Sequence, residues 1–399
     1  MISVTIWRIV LIAVFFGHFG LMLSLYNRIN GVGMARRTVK RIVKVMFLYT
    51  ILLPPIVWWL NQQALSDRWM GQVAVIRGDG DASLPLALIG YGIVCLAAYV
   101  VLGIPWLIFR PIFGLEWVKV KKKSEVVSVD RVCNVPLALT KKCKIESRLP
   151  LNQLFELSID TIELPVVGLP LALDGYKIAQ LSDIHLTGDV HPDFARYAVQ
   201  RATAWGPDLM AITGDIIDKQ SCIDWLGDIF GAAEATDGCY YVLGNHDTRV
   251  VDSWQTREAM DRAGWTDLGS RSLRTNLRGV PTLMIGNEHP WYERPVIQQK
   301  GEEEFRFLVS HSPDQIGWAR RHDVQLMLAG HTHGGQGRLP LAGPLLSPSY
   351  HGSRFASGDF FKPPTTMHVS RGLCGTHLLR INCRPELSLL VLRRAGGPG

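Results

Sequence analysis

Three long stretches of this 399-residue chain contain no Asp, Glu, Lys or Arg: residues 9–27, 45–66 and 84–109. That absence excludes solvated loops and ordinary surface helices there. Charged residues make up only 19% of the chain, and the mean hydropathy is +0.13, high for a purely soluble protein. Paired cysteines are also lacking. There are seven cysteines, an odd number, and none forms a CxxC pair. This argues against a cysteine zinc site and a disulfide framework, and fits reduced, structural thiols. No internal repeat is visible. The first apolar run has a short basic region before it and no clear small-residue cleavage site, so it does not read as a secretory signal peptide.

What the front end has instead is length. A helix needs about 20 apolar residues to cross roughly 30 Å of hydrocarbon, and the three runs predict spans at about 7–27, 45–66 and 84–109. Pro54 and Pro55 interrupt the second run, a break that membrane helices tolerate when neighbours satisfy the freed carbonyls. Trp58, Trp59, Trp106 and Trp117 lie near run ends, where an aromatic belt would sit. His18 falls inside the first run without an evident partner in the sequence.

Basic residues then set an orientation. Arg28, Arg36, Arg37, Lys40, Arg41 and Lys44 follow the first run, and Arg110, Lys119, Lys121, Lys122 and Lys123 follow the third. The second loop holds Arg68 and Arg77 beside Asp67, Asp79 and Asp81. The positive-inside bias predicts a multi-pass protein of the inner membrane, with the N-terminus outside and the long C-terminal part in the cytoplasm. Both basic segments would then face anionic lipids of the inner leaflet, at about 1 kcal/mol per basic residue. The net charge of +7 abuts membrane spans, which favours a membrane surface over nucleic acid as its partner. No oligomeric state is legible.

Residues 111–170 read as a basic linker with short strands, FELSIDTIEL among them. From about residue 171 to 395 the pattern is α/β: strand-like runs KIAQLSDIH, DLMAITGD, CYYVLGNHD, FRFLVSHS and VQLMLAGHTH each end in a polar cluster, with helix-like segments between the first three. In such sheets ligands gather beyond the carboxyl ends of strands. The clusters supply Asp183 and His185, Asp215, Asn245 and His246, His311, and His331 and His333. Asp-x-His and His-x-His can each offer both side chains to one site, because alternate residues of an extended chain point the same way. Gly214, Gly244 and Gly330 let the backbone turn and approach a ligand closely.

The ordered series LSDIH, GDIID, GNHD, SHS and GHTHGGQ resembles the calcineurin-like metallophosphoesterase superfamily over about residues 175–395, and within it a membrane-associated bacterial branch. The SRGLCGTH segment at 370–377 departs from that branch's pattern at Cys374. The resemblance implies a four-layer α/β/β/α domain following the transmembrane helices. It also implies two divalent metal ions, one held by Asp183, His185, Asp215 and His333, the other by Asp215, Asn245, His311 and His331, with Asp215 bridging. A mixed oxygen and nitrogen donor set suits Mn, Fe, Zn or Co better than Ca or Mg, and Mn is favoured. His246 would contact the scissile phosphate or protonate the leaving oxygen, with Asp218 orienting it so that the imidazole is held charged near a dianionic transition state. Asp247 would be a supporting residue; Asn287 and His289, which also follow a strand end, could line the cleft or belong to a surface loop; His351 and His377 have no motif support.

The reaction expected is hydrolysis of a phosphate ester or anhydride. The membrane anchor points to a membrane lipid or lipid-linked phosphate as substrate. The sharpest version is a UDP-2,3-diacylglucosamine pyrophosphatase of lipid A synthesis, and the alternative is a general phosphodiesterase acting on phospholipids or small phosphoesters. The apolar, proline-rich segment 338–350 could wall such a site. A non-catalytic membrane regulator would be expected to have lost ligands, and this sequence has lost none.

Overall fold

A computed structural model of the chain describes residues 4–69, 83–106, 108, 119–297, 304–340, 343–375 and 377–395. Arg77, Asp79, Asp81, Arg110 and Trp117, used above for orientation and for the aromatic belt, lie outside these. The chain forms two compact units: Met1–Asn30 with Met34–Gly114, and Gly31–Gly33 with Leu115–Gly399.

The first unit consists of helices α1 (Val4–Asn30), α2 (Arg36–Trp69) and α3 (Ser83–Ala98), the last continuing into a π-helical turn at Tyr99–Gly103. Each carries a segment long and apolar enough to cross a membrane: Arg8–Asn30, Arg37–Trp59 and Leu88–Trp106. The expected basic loop is largely helical, since α2 already begins at Arg36; Lys and Arg are good helix formers. α2 runs through both prolines. Pro54 has no N–H to give the carbonyl four residues earlier, which is that of Thr50. The His18 ring answers from α1, with Nε2 3.4 Å from the Thr50 carbonyl and Nδ1 2.6 Å from the Tyr91 hydroxyl of α3. α1 and α3 meet backbone to backbone at Gly17, where an added Cβ would stand 1.9 Å from the Cys95 carbonyl oxygen. Small residues commonly make such approaches between membrane helices.

The second unit holds two mixed sheets. The first has seven strands in the order β1 (Lys121–Ser128), β2 (Glu156–Val167), β15 (Glu386–Ala395), β3 (Lys177–Leu181), β4 (Leu209–Thr213), β5 (Cys239–Val242) and β6 (Thr266–Asp267). The second has six: β13 (Gly358–Lys362), β14 (Thr365–Val369), β10 (Leu326–Ala329), β9 (Phe305–Ser310), β8 (Val280–Asn287) and β7 (Ser272–Leu277). A small hairpin, β11 (Arg338–Leu339) with β12 (Gly343–Pro344), stands apart within segment 338–350. Strands β3 to β6 are mutually parallel, as are β8, β9, β10 and β14.

Side-chain alternation produces the layers. Leu209 and Ala211 of β4 share one buried cluster with Phe305, Phe307 and Val309 of β9 and Leu326 and Leu328 of β10, so this core lies between the sheets. Met210 and Ile212 of β4 belong instead with Ala198, Val199 and Ala202 of helix Asp193–Ala204 and with Ile229 and Phe230 of helix Trp225–Phe230. Leu308, Met327 and Ala329 pack with Ile316 and Ala319 of helix Ile316–Arg321. Helix, sheet, sheet, helix is the resulting order.

Within the expected linker, the short strands between residues 121 and 167 belong to the first sheet. β1 pairs with β2 over eight residues, and β2 pairs with β15 over ten, so this stretch builds one edge of the first sheet. Its alternating apolar residues pack into the core, with Ile162 and Leu164 buried between the sheets. A charged network ties this edge to the second sheet. Asp160 of β2, fully buried, meets Lys122 at 2.6 Å and Arg371 at 2.8 Å. Arg371 also meets Glu386 at 3.1 Å, and His368 of β14 lies 2.7 Å from Asp359 and 3.0 Å from the Ser388 hydroxyl. Burial alone would lower the His368 imidazole; the Asp359 and Glu386 carboxylates outweigh it and raise the pKa above 6.5, with Lys122 opposing them.

A raised folded-state pKa means that His368 stabilises the fold in full below about pH 6.5, and that this contribution fades as pH rises through the raised value. Melting of the full chain in detergent from about pH 6 to about pH 9 should show a decline that His368→Gln flattens. An equal decline in the variant would show that His368 has no part in it.

Candidate metal centre

The polar clusters sit where the parallel strands end. Asp183 and His185 follow β3, Asp215 and Asp218 follow β4, and Asn245 and His246 follow β5 of the first sheet. His311 follows β9, and His331 and His333 follow β10 of the second. The two sheets thus bring all five loops to one rim.

The backbone there is not extended. Asp183, His185, Asp215, His331 and His333 have φ of 49°, 51°, 53°, 70° and 50°. The convergence of Asp183 with His185, and of His331 with His333, therefore comes from left-handed residues and not from strand pleating. Such residues cost roughly 1–3 kcal/mol each and persist where surrounding structure holds them. Here the loops brace one another: Asp183 N–H donates to the Gly214 carbonyl at 3.0 Å, His185 N–H to the Asp215 carbonyl at 3.0 Å, and Gly330 N–H to the His311 carbonyl at 2.9 Å. Gly214 itself has φ of 88°. Gly244 and Gly330 provide room: a Cβ on Gly244 would lie 2.3 Å from Asp215 Oδ1, and one on Gly330 1.8 Å from Ser182 Oγ.

Two groups of donor atoms that share Asp215 result, and a third, His185 with Asp218 and His246, adjoins them. Asp183, His185, Asp215 and His333 place theirs within 4.8 Å of one another. His185 Nε2 is 3.5 Å from Asp215 Oδ2, and His333 Nε2 is 3.7 Å from Asp183 Oδ1. Asp215, His311 and His331 form the second group. His311 Nε2 lies 3.4 Å from Asp215 Oδ1, 3.1 Å from Asn245 Oδ1 and 3.1 Å from His331 Nδ1. Atoms each about 2.0–2.2 Å from a common ion are separated by distances of this order.

The residues fit a cation by other criteria too. His185 Nε2 and Asp215 Oδ2 are buried and make no hydrogen bond. Three imidazoles are fixed by their other nitrogen: His185 Nδ1–H donates to Asp218 at 2.7 Å, His311 Nδ1–H to the Thr213 carbonyl at 2.7 Å, and His333 Nδ1–H to the Cys374 carbonyl at 3.2 Å. Each Nε2 is left facing the carboxylates, the arrangement that metal-ligating histidines use. Burial and neighbouring imidazoles, His311 beside His331 and His185 beside His333, hold those two well below the usual histidine range. Burial raises the Asp183 carboxyl, and adjacent Asp215 adds to this against His311 and His185. Burial works against the His311 imidazole, but Asp215 lifts it to about 9. Burial opposes His185 too, and the carboxylates raise it as well, so protons on His185 and His311 stand where a cation would, and binding one would displace them.

Asp218 serves two histidines. Its Oδ1 lies 2.5 Å from His246 Nδ1, while Oδ2 accepts the hydrogen bond from His185 Nδ1–H. Without a bound phosphate, burial drives the His246 pKa down to about 4 against the pull of Asp215 and Asp218. The ring is then neutral, with Nδ1–H donating to Asp218 and Nε2 accepting from the Arg249 guanidinium, which also bonds Asp218. Asp247 is a brace: Oδ1 accepts from the Ile216 and Ile217 N–H groups at 3.0 and 2.8 Å, and Oδ2 from Gly244 at 2.7 Å.

Asn287 is fully buried and accepts from the His289 N–H at 3.0 Å, so it shapes its loop and does not line a cleft. Trp291 is the prominent residue of that segment, its ring 4.8 Å from His331 and 5.3 Å from His311. His377 is exposed, and His351 packs on Tyr350 and Phe355. Sequence reasoning missed Arg249, although three residues past His246 on one 3-10 turn returns to the same side. It also missed Arg380, which is fully buried and donates to the carbonyls of His333, Arg371, Gly372 and Cys374. Nothing in the local sequence marks that role. The departure at Cys374 leaves a backbone carbonyl that holds both His333 and Arg380.

Fold and rim together define a hydrolase that works on phosphoesters with bound metal. A family model described as calcineurin-like phosphoesterase matches residues 176–335. The chain is 32% identical over 241 residues to the uncharacterized metallophosphoesterase YkuE of Bacillus subtilis, covering 56% of this chain and 82% of that one. It is 27% identical over 223 residues to the phosphodiesterase YaeI of Escherichia coli, covering 54% and 82%. At 22% over 275 residues it is similar to the UDP-2,3-diacylglucosamine pyrophosphatase LpxG of Chlamydia trachomatis, covering 55% and 84%. The chain belongs to the calcineurin-like phosphoesterase family.

Asp218→Asn should weaken metal binding about 10- to 100-fold, because an amide cannot hold the His185 tautomer as a carboxylate does. Calorimetric titration of the metal-stripped protein with Mn²⁺ measures this directly; unchanged affinity would remove Asp218 from the support of the metal cluster.

Proposed function

We propose that the protein hydrolyses a phosphodiester or pyrophosphate bond of a lipid-linked substrate at the cytoplasmic face of the membrane, using two divalent cations. The observation that carries this reading is the pair of donor groups sharing Asp215. Asp183, His185, Asp215 and His333 would hold one cation and Asp215, Asn245, His311 and His331 the other. The donor set suits Mn, Fe, Zn or Co, with Mn favoured. When bound, such a pair supplies the positive charge that stabilises both attacking and leaving oxygens of an in-line displacement.

The chain's own groups then bind phosphate and move a proton. In this reading His246 and Arg249, which are bonded to each other and to Asp218, would contact the phosphoryl group. A phosphoryl anion beside His246 Nε2 raises that imidazole from its low value, and Arg249 turns its guanidinium from the ring to the phosphate. The imidazole can then protonate the leaving oxygen while Asp218 keeps Nδ1–H in place. Asp218 itself stays ionised: burial opposes this, but the His185 and His246 rings hold its carboxyl well below the usual range.

The cytoplasmic side is supported by the basic segments after the first and third spans. UDP-2,3-diacylglucosamine is supported by the relative named for that activity and by the membrane unit; products would be UMP and the lipid sugar phosphate. A general phosphodiesterase is the second reading, favoured by the higher identity to a relative named phosphodiesterase. Full-length protein with Mn²⁺ should hydrolyse bis-p-nitrophenyl phosphate, and Asp215→Ala should reduce turnover to background. Wild type without metal-dependent turnover on a phosphoester panel would refute the reaction. UMP release from UDP-2,3-diacylglucosamine separates the two substrates, its absence leaving the general phosphodiesterase. A periplasmic signal from a C-terminal topology reporter would overturn the cytoplasmic assignment.

A further inference from the structure

Glu288 and Arg257 form a buried pair to which the chemistry described above gives no role. Glu288 follows β8 of the second sheet and is fully buried; Arg257 comes from helix Ser253–Arg262 and is also buried. The Glu288 carboxylate receives one donor on each oxygen. Oε2 accepts from Arg257 at 2.7 Å, and Oε1 accepts from the backbone N–H of Leu243 at 2.5 Å. Arg257 is itself held by Asp267 of β6 at 2.5 Å. A Cβ on Gly269 would stand 2.3 Å from the guanidinium and 2.4 Å from Oε1, so the pair is enclosed as well as bonded.

The place of Leu243 in the chain gives the pair its meaning. Leu243 leaves β5 of the first sheet, and Gly244, Asn245 and His246 come directly after it. The Glu288–Leu243 bond therefore fixes the base of the Asn245 loop from the opposite sheet. The Asn245 amide oxygen lies 3.1 Å from His311 Nε2, and His311 also belongs to the second sheet's rim. The spacing of these two donors depends on how the loop of one sheet is tied to the other, and Glu288 supplies such a tie. Its carbonyl also accepts from Trp291 N–H at 3.1 Å, and the Trp291 ring rests on His331 and His311.

We infer that Glu288 is a positioning residue for the cation of the Asp215, Asn245, His311 and His331 group: its carboxylate fixes Leu243 and so places the Asn245 amide oxygen. The inference rests on the two-cation reading above. A carboxylate suits this task because it can accept from both donors at once, whereas the side chain of Gln has one oxygen. The charged Arg257 makes the stronger bond and takes that oxygen, which leaves an NH₂ group against the Leu243 N–H.

The test is calorimetric titration of the metal-stripped full-length protein with Mn²⁺. Asn245→Ala identifies which of the two binding steps belongs to the Asn245 group. Glu288→Gln should weaken that step about 10-fold and leave the other unchanged. In the Asn245→Ala background Glu288→Gln should add nothing, because the atom it places is gone. A Glu288 that only supports the fold would weaken both steps alike, or act as strongly without Asn245; either result, or unchanged affinity, overturns the inference. A wild type that binds a single Mn²⁺ refutes the two-cation reading, and the inference with it. Arg257→Leu combined with Glu288→Leu is the second variant. Apolar replacement of a buried ion pair often preserves stability, and here it removes the Leu243 acceptor while Asp267 keeps the Gly269 N–H at 2.8 Å and Arg271 at 3.5 Å. It should weaken the same step, and full affinity at that step in the folded double variant would also overturn the inference.

Discussion

Asp215 has to present one carboxylate to two groups of ligands at once, and much of the surrounding architecture follows from that demand. A side chain on a regular strand faces one side of a sheet. Asp215 escapes this by leaving β4 and turning left-handed, which aims its two oxygens apart: Oδ2 towards His185, Oδ1 towards His311. The first partner comes from its own sheet and the second from the other. The site therefore requires two sheets whose parallel strands end at the same rim, and the inter-sheet core of Phe307, Leu328 and Ala211 sets the separation. The glycines beside the ligands are needed because the loops are packed against one another nearly as closely as atoms allow.

Much of this rim was legible because it is written in chemistry-bearing residues at strand ends, in order. Asp183, His185, Asp215, Asn245, His311, His331 and His333 announce themselves by type and by the glycines near them. The local geometry was not legible. Asp-x-His and His-x-His look like alternating residues on a strand, and only the folded chain shows that neighbouring loops hold them in the left-handed region. Arg249 and Arg380 were overlooked for a related reason: an arginine carries no signature until it is known what it points at. Residues 121–167 resembled a linker because β1 and β2 lie far in sequence from β15, the strand that joins them to the rest of the sheet. Pairing between distant segments leaves no local pattern.

A second chain of dependence runs through Asp218. Its carboxylate fixes His185, a candidate cation ligand, and His246, the candidate proton donor. Arg249 closes the group by bonding both Asp218 and His246. A change in charge at His246 is thus felt by the same anion that orients a ligand, so binding of phosphate and binding of cation share one carboxylate. This coupling is electrostatic and local, and it needs no movement of the strands.

The position of β15 bears on the order in which the protein can be made. It lies between β2 and β3, pairing with both, yet it is the last strand of the described chain. The apolar helices leave the ribosome before the sheets and can enter the bilayer while the strands are being translated. β1 and β2 emerge next and then β3 to β6, and β2 and β3 stay without the strand that joins them until residues 386–395 arrive. Sequence-distant pairing of this kind is slow to form. The membrane unit would therefore be in place before the catalytic rim exists, and premature termination shortly before β15 would leave an anchored protein whose hydrolase sheet is split in two.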